Sequence, residues 1–155
     1  MLVNGAALVA HHSGAVFWPA EALLMVADLH LEKGSSQADR GHFLPPYDTA
    51  ATLRRLSLVI DEFNPATVAC LGDSVHDPGA ETRLSSADTA AILRLTQARD
   101  WLWSGGNHDP VPPAHLGGQG VGELTRGALT LRHMAGGRLA GEVAGHLHPK
   151  ASVNI

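Results

Sequence analysis

A single cysteine, Cys70, excludes a disulfide within the chain and leaves no set of thiolates for a metal cluster. Charge is also scarce: 17% of residues are charged against 45% hydrophobic, which excludes a disordered, solvated chain. The net charge of -4 offers no overall attraction for nucleic acid, and there is no extended Lys/Arg path from which to argue DNA recognition. No apolar run is long enough to span a bilayer. The opening Met1-Leu2-Val3-Asn4-Gly5 lacks the basic region that precedes a secretory core, so the expectation is a cytoplasmic protein without membrane association. What the chain has in excess is histidine, ten residues against one tyrosine, spread too widely to be a tag. Histidine in excess points to metal or acid–base chemistry.

The 155 residues suit one domain. Residues 6–10 and 15–18 read as short strands around a His12-Ser13-Gly14 turn, and 21–27 as an apolar strand that stops at Asp28. Residues 32–46 are polar and predict a long loop, closed by Pro45 and Pro46. A helix follows over 47–63, with Leu53, Leu56, Ile60 and Phe63 on one face and Asn64-Pro65 as its stop. Residues 67–71 have a buried-strand pattern, 86–98 a helical one with Ala91, Leu95 and Ala98 inward, and 101–103 a strand pattern. Beyond Asn107 the helices stop: 112–122 reads as loop, and 129–132 and 142–144 as strands. Strands alternating with helices, then strands alone, predict an α/β fold with an antiparallel portion at the end, either a mixed sheet or two packed sheets flanked by helices.

Five polar clusters follow predicted strands directly: Asp28-Leu29-His30, Gly72-Asp73, Gly106-Asn107-His108-Asp109, His133, and Gly145-His146-Leu147-His148. The carboxyl ends of strands in α/β sheets open onto the crevice where ligands bind, so these clusters are expected around one cavity. Asp28, His30, Asp73, Asn107, His133, His146 and His148 are oxygen and imidazole donors, which suit Mn²⁺, Fe or Zn²⁺. They are too many for one tetrahedral ion, but two ions sharing a bridging carboxylate would use them. Two cations about 3.5–4 Å apart clamp the attacking and leaving oxygens of a phosphoryl displacement and turn a water between them into hydroxide near neutral pH. The spacings Asp28-x-His30 and His146-x-His148 predict extended segments in which both side chains of a pair face the same metal centre. Glycines before Asp73, Asn107 and His146 permit close backbone approach.

This ordered set resembles the calcineurin-like metallophosphoesterases and spans most of the chain. The resemblance implies a two-sheet β sandwich flanked by helices, forming a single metallophosphoesterase domain over residues 1–155. Family domains continue past the last His motif, so their C-terminal strands are expected to be absent here. By position, Asp28, His30 and His148 would bind one metal, Asn107, His133 and His146 the second, and Asp73 would bridge. His108 would stabilise the phosphate or protonate the leaving oxygen, with Asp109 orienting it. The stretches Ala27-Asp28-Leu29-His30-Leu31-Glu32-Lys33-Gly34, Leu71-Gly72-Asp73-Ser74-Val75-His76-Asp77 and Ala144-Gly145-His146-Leu147-His148-Pro149-Lys150 are similar to the bacterial DNA-ligase-associated phosphoesterases. That branch implies a phosphodiesterase or endonuclease linked to DNA repair, using two divalent ions (Mn²⁺ foremost, Fe or Zn²⁺ as alternatives). It also implies DNA as substrate, and a DNA ligase and a helicase as partners.

Singly, these residues have simpler uses. Asp28 and Asp73 would serve as caps or turn residues, and His30, His146 and His148 as surface residues. His11, His12, His42 and His115 are expected at the surface, Cys70, Trp101 and Trp103 in the core, and Arg54 and Arg55 on a solvated face. Lys33, His76 and Asp77 follow metal motifs closely enough to touch substrate, with loop polarity as the rival reading. Two other functions fit the chain: a phosphomonoesterase for a small metabolite or phosphoprotein, and a non-catalytic scaffold that recruits a ligase or helicase.

Overall fold

The structure is a computed structural model that describes residues 1–42, 47–111, 113–137 and 140–148. Pro45, Pro46, Pro149 and Lys150 therefore lie outside the described residues. Strands β1 (Leu2–Val3) and β2 (Ala6–Ala7) pair antiparallel. β3 (Val9–Ala10), β4 (Val16–Trp18) and β5 (Leu23–Val26) form an antiparallel meander. Helices α1 (Lys33–Asp39) and α2 (Asp48–Phe63) lead to β6 (Thr67–Leu71), parallel to β5. Helices α3 (Ala80–Arg83) and α4 (Ser86–Gln97) lead to β7 (Asp100–Ser104), and β8 (Gln119–Val121) follows, both continuing the parallel run. The six-stranded sheet has the order β3-β4-β5-β6-β7-β8. A second sheet of three strands has the order β11-β10-β9, from β9 (Leu124–Arg126), β10 (Leu129–Arg132) and β11 (Glu142–Ala144).

The strand period of two explains the layering. Leu24, Val26, Val68 and Cys70 face one core with Leu53, Leu56 and Ile60 of α2 and Ile92 of α4. The alternate residues Leu23, Met25, Ala69 and Leu71 face a second core with Leu129 and Leu131 of β10. The order is thus helices, large sheet, small sheet, and β6, buried along its whole length, is apolar on both faces because both are covered. α2 ends at Asn64 in the left-handed region (φ 41°), whose N–H donates to the Ile60 carbonyl at 2.8 Å. α4 starts at Ser85, whose hydroxyl accepts the Asp88 N–H at 3.0 Å.

Several expectations need correction. Residues 33–39 form α1 rather than loop. Lys33-Gly34-Ser35-Ser36 has no apolar period to reveal it, and the helix is held by distant partners: the Gly34 N–H donates to Asp48 at 2.8 Å. Residues 119–121 form an edge strand within the expected 112–122 loop. The inward residues of α4 are Ile92 and Thr96 with Ala91 and Leu95 beside them, while Ala98 is exposed. The antiparallel portion of the large sheet lies at its beginning, and β11 pairs with β10 in parallel. His11 is largely covered, its ring edge-on to Phe63. Trp101, Trp103 and Cys70 are buried, and Arg54 and Arg55 are exposed. Among the described residues no helix is long and apolar enough to cross a membrane.

Candidate metal centre

β5, β6, β7, β10 and β11 end at Val26, Leu71, Ser104, Arg132 and Ala144, and the five clusters begin just beyond them. The fold brings their side chains together in two groups. Asp28, His30 and His148 offer donor atoms that all lie within 4.8 Å of one another, and so do Asp73, His133 and His146. Asp73 Oδ2 stands 3.9 Å from His30 Nε2 and 3.5 Å from His133 Nε2, so one oxygen faces both groups. Asn107 Oδ1 lies 2.9 Å from His133 Nε2. His146 and His148 therefore fall in different groups of one centre, while Asp28 and His30 share a group.

These pairs are not extended either. Asp28 (φ 54°), His30 (φ 44°), Asp73 (φ 50°), His146 (φ 65°) and His148 (φ 43°) all sit in the left-handed region. Such backbone is uncommon without glycine, and it clusters where function needs a particular side-chain aim. It is held by pairing between loops: the Asp28 N–H donates to the Gly72 carbonyl at 3.1 Å, and the His30 N–H to that of Asp73 at 2.9 Å. The His146 N–H donates to Asp28 Oδ2 at 3.0 Å, tying the last cluster to the first. Gly72 (φ 84°) passes so near the His133 ring that a Cβ there would lie 2.6 Å from it. At Gly106 a Cβ would run into Asp73 itself.

The donor set fits divalent cations. His133 Nδ1 lies 2.9 Å from the Leu71 carbonyl, which only accepts, so Nδ1 is the donor there and Nε2 is the atom turned to the site. Nε2 faces the Asn107 and Asp73 oxygens. Ligands about 2.1 Å from one ion and at right angles stand about 3.0 Å apart, the spacing at which these acceptors crowd together. Open cavities flank the centre, one of about 640 Å³ beside Gly106 and His133 and one of about 190 Å³ beside Asp28, Leu29 and Arg55.

His108 and its neighbours are placed differently from the sequence expectation. The His108 Nδ1–H donates to the His76 carbonyl at 2.8 Å, which leaves Nε2 free. Asp109 does not hold that ring. It accepts the N–H groups of Asp73 (2.8 Å), Ser74 (2.8 Å), Val75 (3.2 Å) and Gly106 (3.0 Å), so it fixes the two loops that carry Asp73 and Asn107. Its burial raises its pKa, against the pull of those N–H groups. His76 is buried with Nδ1 3.3 Å from His30 Nδ1. Burial lowers the pKa of both rings, most of all by desolvation; Asp73 opposes this at His30, and His108 reinforces it at both. Asp77 turns to Arg83 (2.7 Å), which overcomes a desolvation penalty and holds its pKa at about 2. Lys33 is exposed at the start of α1. Sequence reasoning missed the bracing behind the first motif: Glu32 accepts the hydroxyls of Thr49 (2.8 Å) and Ser35 (2.6 Å), and Ser35 accepts Arg83 Nε at 2.9 Å. Thr49 and Arg83 stand so far away in sequence that they leave no local pattern.

No protein-family model matches the chain, and no curated protein matches it. Among solved structures, the chain is similar to the crystal structure of Pseudomonas putida nuclease MPE, with a TM-score of 0.76 and 28% sequence identity over 96% of this chain and 72% of that one. The chain therefore has the α/β, two-sheet architecture flanked by helices expected of a metallophosphoesterase-type domain, and it shares that fold with a nuclease.

Proposed function

We propose that the chain is a calcineurin-like, metal-dependent phosphodiesterase acting on nucleic acid, with Asp28, His30 and His148 holding one divalent ion, Asn107, His133 and His146 a second, and Asp73 shared between them. The observation that carries this reading is Asp73 Oδ2 set between His30 and His133, one from each donor group. A nuclease as structural neighbour supports the substrate class. Bound cations, Mn²⁺ foremost, would supply Lewis acidity toward the phosphate and acidify water. The chain's own residues do the rest. Asp109 locks the Asp73 and Asn107 loops. The His76 carbonyl fixes the His108 tautomer with Nδ1 as the donor, so that Nε2 is left to bind a phosphoryl oxygen or to pass a proton to the leaving oxygen. Membership of the ligase-associated branch, with its link to DNA repair, its ligase and helicase partners and a cytoplasmic location, rests on the sequence resemblance.

Turnover of bis-p-nitrophenyl phosphate and p-nitrophenyl phosphate by protein stripped with chelator and reloaded with Mn²⁺ tests the reading. The expected result is Mn²⁺-dependent diester hydrolysis. Turnover of the monoester alone would make the chain a phosphomonoesterase, and turnover of neither would make it a scaffold.

A further inference from the structure

α1 leaves the centre directly, since the Lys33 N–H donates to the His30 carbonyl at 3.2 Å. Lys33, Gln37 and Arg40, the C-terminal cap, follow at intervals of four and three and so share one face. Lys33 and Arg40 stand about 10.5 Å apart along the axis, the rise of about three nucleotides of a B-form strand. Both are exposed, and among the described residues neither pairs with a carboxylate, whereas Arg83, Arg126 and Arg132 all do. Of the nearby anions, Asp39 and Asp77 are engaged by Arg83, at 3.7 and 2.7 Å, Glu32 by the Ser35 and Thr49 hydroxyls, and Asp48 by the Gly34 N–H. The helix is pinned beside and behind that face, through the Gly34 N–H to Asp48 and through Ser35 to Glu32 and Arg83. The cations are thus carried on a braced helix.

We propose that the Lys33–Gln37–Arg40 face of α1 is a rail that binds the phosphates flanking the scissile bond, so that the chain prefers a polynucleotide strand to an isolated diester. This rests on the phosphodiesterase reading and names the residues by which that site would grip its substrate. A chain of net charge -4 has no diffuse attraction for nucleic acid, so strand binding falls to a local rail.

The test is fluorescence anisotropy of a labelled single-stranded 20-mer (the length being the probe's) with chelated protein over a range of KCl. Two phosphate contacts contribute about 1.4 to the slope of log affinity against log salt for a single strand, at about 0.7 each. The double variant Lys33→Gln/Arg40→Gln is expected to lose that much slope and to bind more weakly. Arg94→Gln, an exposed cation on α4 away from the centre, is expected to keep the parent slope. A parent that does not bind, an unchanged slope in the double variant, or an equal loss in Arg94→Gln overturns the rail. If binding behaves as expected but Mn²⁺-loaded protein hydrolyses no diester, the phosphodiesterase reading fails and the strand-binding face stands.

Discussion

Replacing Asp109 with Asn separates two accounts of this residue. Asp109 is 3% exposed and accepts Asp73 and Gly106 N–H on Oδ1, and Ser74 and Val75 N–H on Oδ2. An amide of the same shape keeps one acceptor oxygen for two of these donors and sets an NH₂ group against the other two. Each orphaned buried donor costs about 1–3 kcal/mol, and losing the ionic character of the remaining bonds adds to this, so roughly 3–5 kcal/mol is expected. Burial already disfavours the charged carboxylate, which draws the expectation toward the lower end. For a chain of this size the loss lowers Tm by roughly 6–20 °C, measured by calorimetry in chelator. Mn²⁺ content should fall too, because the displaced loops carry Asp73 and Asn107. If Asp109→Asn melts within about 2 °C of the parent and keeps its metal, the carboxylate does not organise the loops. A loss of turnover alone would restore the idea that it orients His108.

Gly106→Ala is expected to lose roughly 1–3 kcal/mol by urea titration, since its Cβ meets Asp73 and stands 2.8 Å from Asp109 Oδ1; full parental stability would refute this packing. His108→Ala should keep its metal by elemental analysis while diester turnover drops roughly 10²–10⁴-fold; parental turnover would remove His108 from the chemistry. The pH dependence has a definite sign. Burial lowers the folded pKa of His30 and His76 below 6.5, so just below 6.5 the unfolded chain binds more protons and stability falls on acidification. The Tm of chelated protein should therefore decrease between about pH 7.5 and 5.5, and a rise would contradict the neutral state of these rings.

β5 and β6 were legible as apolar runs that stop at a polar cluster, β10 and β11 as short strand-like segments that end at a His motif, and α2 because its apolar residues keep helical spacing. α1 was not, since its register is set by Asp48, Arg83 and Thr49 across the fold rather than by its own period. The donors were legible as a set because their types and order are unusual together. Their aim was not: alternation suggested extended backbone, whereas five of them adopt the left-handed region that pairing between loops imposes. The adjacency of His108 and Asp109 suggested contact, but successive residues on this turn face apart, and Asp109 turns inward to four N–H groups.

The most direct measurement is anomalous diffraction at the manganese edge from crystals grown with Mn²⁺. Two peaks are expected, one among Asp28, His30 and His148 and one among Asn107, His133 and His146, with Asp73 in contact with both. A single peak, or peaks away from Asp73, would contradict a shared carboxylate and with it the two-ion account.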